Sequence, residues 1–147
     1  MAGDTKQDLF FVRRNTNRNE VHYQIGIAGD TSTPVGANPI SGYWQMHEKG
    51  PGVTEPITVF EQMAFGVGPQ RVEGNRVFFH LTGMPDREIR VEHTGNPERP
   101  YAAHISINGA DAELKDFYVF AEAAFLMPKV KYFEIHGLRN GEAVRCV

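Results

Sequence analysis

The sequence predicts a mainly β fold: an antiparallel meander forming a barrel or curved sandwich of about eight strands, with one short α-helix near residues 55–65. Three observations carry this. Turn signals at Glu73-Gly74-Asn75, Met84-Pro85-Asp86, Asn108-Gly109 and Asn140-Gly141 cut the second half of the chain into short runs. The runs between them alternate apolar and polar residues. Their residues are also rich in Val, Ile, Phe and Tyr, which suit a half-buried pleated surface.

The first strand is read from Leu9-Phe10-Phe11-Val12 with Arg13-Arg14 as a charged exit, after a tail over residues 1–7. Asn15, Asn17 and Asn19 follow at period two and supply turn chemistry through side-chain bonds to the local backbone. The second strand sets Val21, Tyr23, Ile25 and Ile27 on one face and Glu20, His22 and Gln24 on the other. Gly29 to Asn38 is a loop. A third strand from Ile40 to Glu48 puts Tyr43, Gln45 and His47 opposite Gly42, Trp44 and Met46.

Thr54-Glu55-Pro56 reads as a helix start, with Thr54 as cap and proline in the first turn. Ile57, Phe60 and Ala64 fall at helical spacing, and Gly66 and Gly68 stop the helix near Phe65. Strands follow at Arg76 to Thr82, Arg87 to His93 and Tyr101 to Ile107. Leu114 to Phe125 fits strand or helix; the strand is preferred for its first part because it leaves a hairpin turn, and Pro128 ends the segment. Val130 to Gly137 and Ala143 to Val147 close the meander. There is no internal repeat or low-complexity tract, and the chain reads as one β-rich domain over residues 1–147.

Fifteen Lys and Arg against eighteen Asp and Glu give a net charge of -3, and the arginines are scattered, so no nucleic acid partner is expected. The single cysteine, Cys146, excludes an intramolecular disulfide and a cysteine-based zinc site. No stretch approaches the roughly 20 apolar residues of a bilayer-spanning helix, and no apolar run of signal-peptide length opens the chain. The chain as it stands is expected in the cytoplasm, or in the periplasm or outside the cell if a leader has been removed.

The order Leu9 to Arg14, then Asn17 and Asn19, Val21 and Tyr23, and Tyr43-Trp44 resembles an uncharacterised bacterial family, domain of unknown function 4833. Ala64-Phe65-Gly66, Ile107-Asn108-Gly109 and Val130 to Gly137 resemble its later segments, so the likeness runs from about residue 8 to 147. These are strand and turn patterns. The resemblance implies a real domain whose relatives include exported proteins, and it transfers no activity and no site residue.

Chemistry is therefore sought in the residues. Tyr43, Trp44, His47 and Glu48 sit a short loop before Glu61, and His47 with Glu61 or Gln62 could form an acid/base pair if the helix crosses the barrel mouth. His80, His104 and His136 could hold a metal if they converged, but no spacing supports it and no metal or cofactor is expected. Period two places Arg13 on the face of Leu9 and Phe11, which favours an inward side chain whose fork would meet an anionic ligand head; facing outward it is a solubilising charge. Tyr118 and Glu122 complete the polar groups on apolar strands. There is no nucleophile elbow, P-loop or dinucleotide fingerprint. The leading reading is a binding module for a small molecule or peptide, with Arg13, Tyr23, Tyr43, Trp44, His80 and His104 as ligand contacts. The alternatives are a small-substrate enzyme using His47 and Glu61, and an interaction domain with a filled core.

Overall fold

The computed structural model describes residues 3–59, 61–122 and 129–147. It is mainly β: a strongly curled mixed sheet forming a half-barrel, with one short helix. Among the described residues eleven strands build it. They are β1 (Thr5–Arg14), β2 (Glu20–Ile27), β3 (Ile40–Gln45), β4 (Thr54–Pro56), β5 (Arg71–Glu73), β6 (Arg76–Phe79), β7 (Ile89–His93), β8 (Tyr101–Ile107), β9 (Ala110–Glu122), β10 (Lys129–Arg139) and β11 (Glu142–Cys146). Among the described residues no helix is long and apolar enough to cross a membrane.

Neighbouring strands pair antiparallel, as the turn signals require. Asn108 and Gly109 have φ of 54° and 81°, and Asn140 and Gly141 have 53° and 80°. Two successive positive φ values define the tight turn whose twist matches flanking strands, and asparagine followed by glycine tolerates them best. The hairpins β8–β9 and β10–β11 follow.

One pairing departs from a meander. β9 offers one edge to β10 along its length, while its other edge is shared: Ala110 to Glu113 pair antiparallel with β8, and Asp116 to Val119 pair parallel with β1. β9 is thus a trunk from which two wings leave, β1-β2-β3-β4 and β8-β7-β6-β5. The wings curl toward each other, and Phe10 of β1 reaches Phe79 of β6 with ring centroids 6.3 Å apart. The space between them is filled by Tyr23, Ile25, Trp44, Leu81, Ile89, Tyr101, Leu114, Phe117 and Ile135, all buried.

Three side-chain amides tie this curl, each bonding the N–H and C=O of one residue as a neighbouring strand would. Gln7 joins β1 to Tyr101 of β8 at 3.0 and 2.6 Å. Asn15 continues the β1–β9 ladder onto Ala121 at 2.9 and 3.0 Å. Gln70, just before β5, holds Ile40 of β3 at 2.9 and 2.8 Å and so links the far parts of the two wings.

Three expectations need correction. The helix is a single turn, Gln62–Phe65, because Thr54 to Pro56 pair with Gln45 to Tyr43 of β3 instead of starting it. The turn that leads into it is held by two bonds: the Thr58 N–H donates to Glu61 Oε1 at 2.9 Å and the Glu61 N–H to Thr58 Oγ1 at 3.3 Å. β1 begins at Thr5, within the segment read as a tail, and pairs there with Ile27. A bulge between Asp8 and Phe10 shifts its phase. Leu9 and Phe10 are both buried, Val12 follows them inward, and Arg13 points outward instead of inward. Leu114 to Glu122 lie within strand β9; the proposed continuation through Phe125 to Pro128, like Phe60, lies outside the described residues.

Candidate functional site

The sheet's outer face carries a row of side chains in register: Tyr43 on β3, His22 on β2, Phe11 on β1, Asp116 on β9, His136 on β10 and Arg145 on β11. Period two sends these side chains outward, opposite core residues such as Val21, Tyr23, Phe117 and Ile135. The His22 ring lies between the rings of Phe11 and Tyr43, with centroids 5.1 and 5.7 Å away. The Tyr43 hydroxyl donates to Asp8 Oδ1 at 3.0 Å, which fixes the outer end of the stack.

Glu20 and His22 are two apart on β2 and share this face. His47 reaches them from the turn after β3. Glu20 Oε1 lies 3.0 Å from His22 Nε2 and 3.0 Å from His47 Nε2, so two imidazoles converge on one carboxylate oxygen. The turn is held in place by Asn19, whose Oδ1 accepts from the Glu48 N–H at 2.9 Å, and by Glu48, whose Oε1 accepts from the Arg18 N–H at 3.1 Å.

Arg13, one residue beyond the Val12–Val21 pair, turns toward β9 and β10. Its Nε donates to Asp116 Oδ1 at 3.1 Å, its Nη2 lies 3.2 Å from His136 Nδ1, and its guanidinium sits 4.7 Å over the Tyr118 ring. His136 completes the cluster, with Nδ1 2.9 Å from Asp116 and Nε2 2.9 Å from Glu134.

A cavity of about 610 Å³ opens where β1 ends, lined by Arg13, Arg14, Asn17, Arg18, Glu20, His47 and Pro51. Arg14 is the unusual member. Its guanidinium lies 4.7 Å over Trp44 and 5.8 Å from the Phe65 ring centre, and its Nη2 donates to Asn17 Oδ1 at 3.1 Å. Its Nε is buried with no hydrogen-bond partner among the described residues. Burial lowers the Arg14 pKa, against the raising influence of the Glu61 charge. Asn17 also accepts from the Asn19 N–H at 2.9 Å, the local turn bond expected of this asparagine-rich segment.

The residues singled out from the sequence are distributed over several places. Arg13 and His47 line this cavity, and Tyr43 flanks His22 beside it. Glu61 has other partners than His47: it accepts from Trp44 Nε1 at 3.0 Å and from the Thr58 backbone, with His47 engaged by Glu20. Burial pushes the Glu61 pKa up, but the Thr58 and Trp44 hydrogen bonds and the Arg14 charge outweigh it and leave it below the ordinary carboxylate value. Tyr23 and Trp44 belong to the core. The backbone N–H of Gly68 donates to the His80 carbonyl at 2.8 Å, and a Cβ on Gly68 would sit 2.8 Å from His80 Nε2. His104 lies 3.6 Å from Asp111, which Arg90 grips through both oxygens at 3.1 and 3.0 Å. His80, His104 and His136 therefore have separate surroundings.

A family model described as Domain of unknown function (DUF4833) matches residues 10–145. The chain belongs to this family. The match agrees with the resemblance read from the strand and turn segments, and its span holds every member of the Glu20, His47 and Arg13 clusters. No curated protein and no solved structure matches this DUF4833 chain.

His22 and Glu20 were absent from the sequence-derived site. The signal available was Glu20-x-His22, two chemically active groups on one face of a strand. The approach of His47 depends on the turn after β3, which no periodicity reports.

The tyrosines give an alkaline prediction for the DUF4833 fold. Burial pushes the Tyr23 phenol far above its ordinary value of about 10. Burial, followed by the Asp8 charge and hydrogen bond, pushes Tyr43 up to about 12. Both groups keep their protons in the fold when the unfolded chain has lost them. Their contribution is therefore complete below about pH 10 and is lost as pH rises toward 12 and beyond. Urea midpoints at pH 8, 9.5 and 11 should fall across the series, and Tyr23→Phe should fall less steeply. A midpoint equal at pH 8 and 11 in the parent protein contradicts this.

Proposed function

We infer that this protein is a binding module for a small anionic molecule, carrying a carboxylate or phosphate, held in the cavity at the end of β1. The observation that carries the reading is Arg14: a guanidinium stacked on Trp44 with a buried, unpartnered Nε, beside Arg18 at the same cavity. A buried donor without a partner is costly, and a turn of the Arg14 side chain toward the cavity would let an anionic oxygen satisfy it with a charge-assisted bond. Arg13 is committed to Asp116 and is a wall of the site, so the ligand meets Arg14 first, with the exposed Arg18, whose Nη2 lies 3.5 Å from Glu48, as the second cation at the cavity. The filled space between the wings favours an external site over the hollow-barrel form of this reading.

Calorimetric titration with inorganic phosphate and with citrate, and with a neutral sugar as comparison, tests it. Saturable binding of at least one anion is expected, weakened by Arg14→Ala and by Arg18→Ala by about 1.5–3 kcal/mol each if each bond to the anion is charge-assisted. Binding of neither anion, or equal binding by the parent and the double variant, overturns the reading.

A further inference from the structure

We propose that Glu20, His22 and His47 form a site for a divalent transition metal ion of the zinc type. The inference goes beyond anion binding and does not rest on it, since His22 does not line the anion cavity and the ion needs no organic ligand.

The donor atoms of the three residues lie within 4.8 Å of one another, and both imidazole Nε2 atoms are 3.0 Å from Glu20 Oε1. Tetrahedral zinc holds nitrogen and oxygen ligands at about 2.0–2.2 Å, which sets neighbouring ligand atoms about 3.3 Å apart. Small side-chain rotations would admit an ion. Two imidazoles and one carboxylate suit zinc, cobalt, nickel or iron, whereas calcium and magnesium take oxygen ligands.

Pre-organisation supports the same conclusion. The stacks with Phe11 and Tyr43 restrain the His22 ring while its Nε2 faces Glu20. Glu20 and His47 also line the cavity, so three protein ligands would leave a coordination position toward solvent, as in catalytic rather than closed structural zinc sites. The other histidine–carboxylate cluster is less suitable. At His136 the Arg13 guanidinium lies 3.2 Å from Nδ1, which puts a fixed positive charge where the ion would sit.

The test uses the full chain, cleared of metal by a chelator, dialysed against zinc and titrated calorimetrically without any organic anion. One zinc per chain is expected, with cobalt giving the visible absorption of a low-coordinate nitrogen and oxygen site. His22→Ala and His47→Ala should each weaken zinc binding at least about tenfold. His136→Ala should leave it unchanged, and excess calcium or magnesium should not compete. His47 lies in an exposed turn, so His47→Ala decides the matter even if His22→Ala fails to fold. Absence of saturable zinc binding, meaning a hydrogen-bonded trio only, overturns the proposal. So does equal zinc affinity in the parent and His47→Ala. Anion binding is measured separately through Arg14 and Arg18, so either reading can fail without the other.

Discussion

Replacing Phe10 with alanine is expected to cost the fold about 3–5 kcal/mol, while the same change at Phe11 costs about 1 kcal/mol or less. Phe10 is 3% exposed and its ring meets Tyr23 at 4.8 Å, Phe117 at 5.9 Å and Phe79 at 6.3 Å. These partners belong to β2, β9 and β6, so the residue joins the trunk and both wings, and the cavity left by truncation could not be closed by one element moving alone. Phe11 lies on the half-buried outer face and touches His22. Urea denaturation of both variants checks the difference. Equal losses, or a larger loss at Phe11, would mean that the bulge before Phe10 does not set the phase of the strand.

That bulge marks where the sequence stops being legible. Alternation alone gave β2 with its buried Val21, Tyr23, Ile25 and Ile27, because the extra residue of the β1–β2 pair lies in β1 and the β2 ladder with β3 is continuous. The same logic applied to β1 assigned Arg13 to the interior, since one extra residue in a strand leaves no mark in composition but reverses every side chain after it. The short helix expected near residues 55–65 is present, but its start was misplaced for a different reason. Thr54 and Pro56 are valid start signals, yet the edge of β3 pairs those residues first, and Thr58 with Glu61 starts a shorter turn. Local preference yields here to a tertiary ladder.

The site was legible in its parts and not in its assembly. Arg13 and His47 were readable as chemistry-bearing residues, and Glu20-x-His22 as a shared face. Their meeting depends on Asn19 and Glu48 linking two turns, a contact between residues 29 apart. The parallel pairing of β1 with β9, which sets Asp116 beside Arg13, spans 103 residues and has no sequence signature. A meander read from neighbouring turns could not contain it.

Gln7→Ala is expected to destabilise the protein by about 2–4 kcal/mol, a large effect for a polar residue near the start of the chain. β1 and β8 share an edge of β9 but, among the described residues, do not pair with each other. Gln7 fills that gap by accepting from the Tyr101 N–H at 3.0 Å and donating to the Tyr101 carbonyl at 2.6 Å. Tyr101 is fully buried, so truncation leaves a donor and an acceptor unpaired, each at a cost of about 1–3 kcal/mol before local relaxation. Gln7→Glu should not rescue the loss at neutral pH, because a carboxylate can accept from the N–H but cannot donate to the carbonyl. Denaturation gives the energy, and hydrogen exchange at the Tyr101 amide gives the location: protection there should fall in Gln7→Ala beyond the global loss of stability. Unchanged exchange with a loss below about 0.5 kcal/mol would mean that packing alone joins the wings. The same reasoning extends to Gln70 on Ile40. If both amides are needed, the half-barrel keeps its curl through side chains that substitute for missing strand neighbours.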